Sequence, residues 1–150
     1  MAEAKIDSIL DAFLDLVAVR DCFKTRWQGW LNPFDPPVLP AIGVWYDGDD
    51  MNDDADTIRV ANELQRVALV DVMVIDRVRG DDRQVNRAIS RMLKLVLDAL
   101  AGDPGLRELI DKPIEFDKWD NFTFPAKDEG TICGSVIAVN VPYHVERGYF

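Results

Sequence analysis

The stretch from Gln65 to Ala101 limits the possible folds most, because its hydrophobic period changes once and abruptly. Between Gln65 and Asp76, apolar side chains occupy both parities: Ala68, Val70, Val72 and Val74 on one, Val67, Leu69, Met73 and Ile75 on the other. Strand side chains alternate between faces, so this segment predicts a strand that is apolar on both sides. Past the turn residues Val78-Arg79-Gly80-Asp81-Asp82 the period lengthens. Val85, Ala88, Ile89, Met92, Val96, Ala99 and Leu100 recur at three- and four-residue steps, the stripe of an amphipathic helix over 82–101. Asp81 or Asp82 supplies an N-cap and Gly102 a stop. A strand that runs straight into such a helix provides half a core and its cover.

The other segments fit around this unit. Residues 5–20 predict a helix with Ile6, Ile9, Leu10, Phe13, Leu14, Leu16 and Val17 inward and Asp7, Asp11 and Asp15 outward. Its acidic polar face argues against a membrane-surface role. Residues 21–37 form an aromatic connector holding Phe23, Trp27, Trp30 and Phe34, closed by Pro33, Pro36 and Pro37. Trp27 and Trp30 fit one turn of a short helix, either capping the edge of the core or making an intermolecular contact. Val38–Tyr46 predicts a strand whose Pro40 places its start at an edge or bulge. Periodicity leaves Thr57–Leu64 open. Asp103-Pro104 starts a short helix to about Asp111. The run Ile114–Phe124 predicts a strand that needs a bulge or turn near Lys118–Asp120 if Phe122 and Phe124 are to continue the face of Ile114 and Phe116. Thr131–Val145 predicts a long strand, with Cys133, Ile137, Val139, Val141, Tyr143 and Val145 on one side and Ile132, Val136 and Ala138 on the other. The expected fold is a single α+β domain over residues 1–150, with a mixed, mostly antiparallel sheet and two main helices packed on one face.

Charge narrows the partners. The formal net charge is −10, and six aspartates (Asp47, Asp49, Asp50, Asp53, Asp54 and Asp56) account for most of it. Without them 21 acidic residues face 17 basic ones. Such a surface repels phosphate and disfavours tight binding to the outside of nucleic acid. Neither register of the aspartate run carries the glycine and terminal glutamate of a calcium loop, so it reads as a solvated loop between strands or a surface for a basic partner. The first residues lack the basic start and apolar run of a signal peptide, and no apolar stretch reaches membrane-spanning length. Cys22 and Cys133 show no metal-type pairing, and Cys133 reads as a small buried hydrophobe.

Catalytic patterns are sparse. His144 is the lone histidine; Ser135 lacks a nucleophile-elbow context; no phosphate-binding glycine loop occurs. No catalytic residue, cofactor or metal is expected. Asp71, midway along the central strand, is expected to face away from the helices, because burial without a partner costs several kcal/mol. Geometry is more informative. Two helices about 10 Å wide cover one face of a sheet of four or five strands about 4.8 Å apart. The second apolar face then lacks cover, which points to self-association. On the helix, Arg83, Arg87, Arg91 and Lys94 line the solvent side as a positive ridge able to meet acids on a neighbour.

The element order from Ile6 to Val145, and the character of LVDVMVIDRVRGDDRQVNRAISRMLKLVLDAL and CGSVIAVNVPYHV, resemble bacteriophage tail terminator (tail completion) proteins. The resemblance implies a non-enzymatic virion protein, present in the host cytoplasm during assembly. It implies six copies in a ring that caps the tail tube protein, ends polymerisation and presents a docking surface to the neck or head completion protein. DNA passes through the lumen as repelled cargo, and the aspartate run is placed in that lumen or against a partner. Arg83, Arg87, Arg91, Lys94, Trp27 and Trp30 are placed at the subunit interface. Another head–tail joining protein of the virion is the related alternative; a small α+β enzyme or ligand-binding domain is the alternative of a different class.

Overall fold

In a computed structural model the chain forms α1 (Ala2–Asp15), α2 (Val17–Cys22), β1 (Thr25–Gln28), β2 (Ala41–Asp49), β3 (Ile58–Val60), β4 (Glu63–Val78), α3 (Asp82–Gly102), β5 (Glu115–Pro125) and β6 (Thr131–Glu146). The described residues are 2–49, 58–60, 63–102, 106, 114–125 and 129–146. The expected short helix over 103–111 lies outside them apart from Leu106, which is buried.

The strands make one sheet in the order β1-β2-β4-β6-β5, with β3 paired to the start of β4. Only β1 and β2 run parallel; the other described pairs are antiparallel. At the centre, β4 and β6 pair without a break from Glu63↔Glu146 to Val78↔Thr131. The main helices α1 and α3 pack on one face, so the chain is an α+β fold with a mixed, mostly antiparallel sheet, as its periodicities predict. The core there joins Ile9, Phe13, Val70, Val72, Val74, Val96, Ile137, Val139 and Val141.

The helix boundaries differ from expectation at Leu16 and Gly102, while the start of α3 is capped as expected. The first helix is broken at Leu16, whose extended backbone (φ −55, ψ 134) separates α1 from α2. The freed end of α1 is satisfied from β1: the Arg26 guanidinium donates to the Leu14 carbonyl at 2.9 Å and approaches Asp15 at 3.5 Å. A cation at a helix C-terminus serves both an orphan carbonyl and the macrodipole. At the start of α3, Asp81 is the cap. The Gln84 amide donates to Asp81 Oδ1 at 3.0 Å, and the Asp81 amide donates to Gln84 Oε1 at 2.9 Å, a reciprocal capping box. Val85, Ile89, Met92, Val96 and Leu100 form the buried stripe, and Gly102 still belongs to the helix instead of stopping it.

The second sheet face departs from expectation. It is not left wholly bare, because the connector between β1 and β2 folds back across its Ile75 end. Leu31 joins Ala41, Met73, Ile75 and Ile132 in a second core, flanked by Leu39, Trp45, Phe122, Phe124 and Val136. The connector lies so close to β2 that only glycine fits at position 43. A Cβ there would sit 2.4 Å from the Gly29 carbonyl oxygen and 3.0 Å from Leu31 Cγ. Gly43→Ala should therefore lift the connector and cost about 1–3 kcal/mol, the usual penalty of overpacking. Urea unfolding measures this, and an unchanged midpoint would mean that the connector does not seat on β2.

Candidate functional site

Beyond the connector, the second face changes character along the strands. The registers place Gly43, Met73, Val136 and Asp120 in one cross-strand row and Trp45, Asp71, Ala138 and Lys118 in the next. The third row holds Gly48, Leu69, Asn140 and Glu115. A groove of about 370 Å³ opens over this region, floored by half-buried Leu69, Val136 and Ala138 and lined by Asp47, Asp71, Asp117, Lys118 and Asp120. Asp71 is half-buried on the face away from the helices, as expected. The uncovered part of the sheet is therefore acidic around a small apolar floor, where an apolar face interrupted by Asp71 alone was expected.

Two β-bulges build this lining. The β2–β4 register slips between Tyr46 and Gly48, and the β5–β6 register slips between Phe116 and Lys118. The extra residues are Asp47 and Asp117, and both line the groove. A bulge also swaps the face of everything after it. In β5 this sends Phe116 to the helix-side core and Phe122 and Phe124 to the opposite one, so the phenylalanines do not continue one face. In β2, where Gly48 adopts φ +109, the bulge returns Asp49 to the face of Tyr46.

Asp49 is consequently not the solvated loop residue expected of it. Its side chain is 7% exposed and pairs with Arg66, while the Tyr46 and Tyr143 hydroxyls donate to it at 2.8 and 3.1 Å. Burial, then the hydrogen bond and negative charge of Asp49, pushes the Tyr46 phenol up to about 12. Tyr143 is raised as well, by burial first and then by the Asp49 charge. The cluster ties β2, β4 and β6 together at one end of the sheet. Asp50, Asp53, Asp54 and Asp56 lie outside the described residues.

On the helix side, Arg83, Arg87 and Arg91 are exposed along α3, opposite Val85, Ile89 and Met92. None of these three makes an ion pair with the described residues, whereas Lys94 is bound to Asp98 at 2.8 Å. The tryptophans correct another expectation. Trp27 stands in β1 at the register of Gly43, and Trp30 follows the strand; they share no helical turn. Neither caps the core: they are 58% and 59% exposed, with Phe34 at 77% and Val38 at 67%, while Leu31 and Pro33 do the sealing. The Thr25 hydroxyl donates to the Val38 carbonyl at 2.7 Å, and the Phe34 amide to Asn32 Oδ1 at 3.0 Å. These bonds shape a shallow cleft of about 410 Å³ bordered by Trp27, Trp30, Leu31 and Pro37.

Other candidates are structural. Cys133 is buried with Val85 and Ile89, and burial, followed by the charge of Asp76, pushes its thiol up to about 11. Ser135 is buried and donates to the Asp120 carbonyl at 3.2 Å. Among the described residues, no three His, Cys, Asp or Glu side chains cluster as metal ligands, and no helix is long and apolar enough to cross a membrane. Periodicity alone singles out neither the carboxylates of β5 nor the Asp49 cluster. The available signal is the Asp47-Gly48-Asp49 triplet; the bulge before Lys118 leaves none.

No protein-family model matches the chain, and no curated protein matches it. A solved structure whose name describes no function aligns with 94% of this chain and 96% of its own, at 13% identity and a TM-score of 0.38, too slight a likeness to carry an argument.

The tyrosine pair makes stability sensitive to alkaline pH. Tyr46 is raised from 10.0 to about 12, so the folded chain keeps a proton that the unfolded chain releases in that interval. Its contribution is complete below pH 10.0 and is lost as pH climbs through about 12. Denaturation midpoints across that range should fall more steeply for the natural sequence than for Tyr46→Phe. Tyrosinate absorbance showing Tyr46 ionised near its ordinary value would contradict the cluster.

Proposed function

We propose that this chain is a structural virion protein that caps the phage tail tube as a ring, ends tube polymerisation and offers a docking surface to the head or neck. The observation that carries the assembly reading is the aromatic patch on the connector. Trp27 on the edge strand β1 and Trp30 just after it, both more than half exposed, border one cleft, and the exposed Phe34 follows on the connector with its ring 4.7 Å from that of Phe124 on β5. Clustered exposed aromatics mark protein interfaces, where tryptophan often supplies much of the binding energy. On this reading the tail tube protein meets one ring face and a neck or head completion protein the other. DNA crosses the lumen without sticking, since a chain of net charge −10 repels phosphate. The ring belongs to the virion and is assembled in the host cytoplasm.

The acidic groove is the feature that favours the other class, a ligand-binding or catalytic domain. Against it, the described side chains with the largest ionisation shifts (Tyr46, Tyr143 and Cys133) line neither the groove nor the aromatic cleft. Catalytic sites more often place such groups in the cleft itself.

Electron microscopy of the purified protein, alone and on tail tubes, tests the proposal. Rings with a hole of DNA width are expected; discrete particles in both preparations would refute it. Replacing both Trp27 and Trp30 by alanine should leave the fold intact and weaken assembly by a factor on the order of 30 or more in sedimentation, as loss of an interface hot spot does.

A further inference from the structure

We infer that the acidic half of the open sheet face receives the Arg83–Arg87–Arg91 side of α3 from a second copy of this chain, in a head-to-tail contact. The inference rests on the ring reading and assigns its subunit interface.

Charge complementarity selects the occupant. The groove presents carboxylates of Asp47, Asp71, Asp117 and Asp120 around a floor that includes Leu69 and Ala138. The three arginines, without an ion pair among the described residues of their own chain, are its natural counterpart. Their dimensions agree. From Arg83 to Arg91 is eight residues, about 12 Å of helix. From Asp47 on β2 to Asp117 on β5 the sheet order spans three strand spacings, about 14 Å. A helix laid across the strands can therefore bring each guanidinium near a carboxylate, with its own aliphatic stem over the apolar floor.

Position dictates the symmetry. Donor and acceptor occupy opposite faces of the same sheet, because α3 packs on the helix side and the groove opens on the other. One copy's ridge filling the next copy's groove leaves a free ridge at one end and a free groove at the other. Such heterologous contacts close into a ring where the rotation between subunits allows it and otherwise grow as a filament, whereas a twofold dimer uses the same patch on both partners. The exposed Trp27, at the register of Gly43, borders the same open face and extends the contact with apolar surface.

Two charge-reversed chains test this: Arg87→Glu with Arg91→Glu, and Asp117→Lys with Asp120→Lys. All four side chains are exposed, and circular dichroism verifies folding. Sedimentation should show each variant alone assembling at least ten-fold more weakly than the natural chain, and an equimolar mixture recovering assembly. Reversed pairs restore attraction only if the ridge and groove meet each other. If both variants form rings as readily as the natural chain, this interface is wrong while the ring stands. The interface is equally wrong if the groove variant alone loses assembly, since another basic segment then fills the groove, or if mixing fails to rescue. A natural chain that forms no ring, free or on tubes, overturns the ring reading and this contact together.

Discussion

The unbroken pairing of β4 with β6 is the constraint from which the rest of the architecture follows. Both strands carry apolar residues at both parities, so the central ladder has two faces to protect. Val70, Val72, Val74, Ile137, Val139 and Val141 meet α1 and α3 on one side. Met73, Ile75 and Ile132 look the other way. Burying each of these side chains contributes about 1.5–3 kcal/mol, and the net stability of a domain is only about 5–15 kcal/mol. Leaving all three wet would forfeit a large share of that margin. The proline-rich connector prevents this. Leu31 lands on the second face, and Gly43 provides the close approach that lets it do so.

Covering that face by a loop has a consequence. The same connector that buries Leu31 and Pro33 leaves Trp30, Phe34 and Val38 more than half exposed. The loop reaches only the Ile75 end of the sheet. Asp120 already stands in the Met73 row, and past it come Asp71, Lys118 and Asn140, which tolerate water. The two halves of the open face thus solve one problem differently, by self-cover and by polarity. The bulges at Asp47 and Asp117 add charge at the margins while keeping Asp49 and Phe116 available to the helix side.

Much of this was legible in the residues alone. The change of period at Asp81 marks β4 and α3, and alternation over Thr131–Val145 marks β6. The bulge expected in the Phe116–Phe124 run occurs at Asp117 but has the opposite effect: these residues hold one parity, which plain alternation keeps on one face, and the bulge divides them between two cores. The less legible features depend on partners far away in sequence. Trp27 and Trp30 have helical spacing, yet Thr25–Gln28 is extended because it pairs with Ala41–Val44, a long-range contact that no local pattern carries. Asp49 sits among aspartates and reads as solvated; only the bulge beside Gly48 and the distant Arg66 and Tyr143 make it a buried anchor. Alternation in β4 and β6 shows Asp71 as the one acid of the open face, because half of the groove's acid comes from β5, a partner strand that no local pattern places there.

If copies meet head to tail as proposed, the electrostatic layout bears on assembly more than on folding. Carboxylates gathered over one face repel one another, and arginines spaced four residues apart do the same on the other. Neither group is neutralised by its own chain's described residues, apart from Lys118, which lines the groove among the acids. Self-repulsion of this kind lowers the stability of an isolated subunit and keeps it soluble. Bringing opposite faces of two copies together removes both repulsions at once, so the gain on association exceeds that of the new ion pairs counted singly. Because the relief is electrostatic and partly exposed, salt weakens it over a screening length of about 10 Å at moderate ionic strength. The aromatic patch beside the groove is not screened in that way. An interface combining the two uses charge to set the order of subunits and apolar burial to hold them.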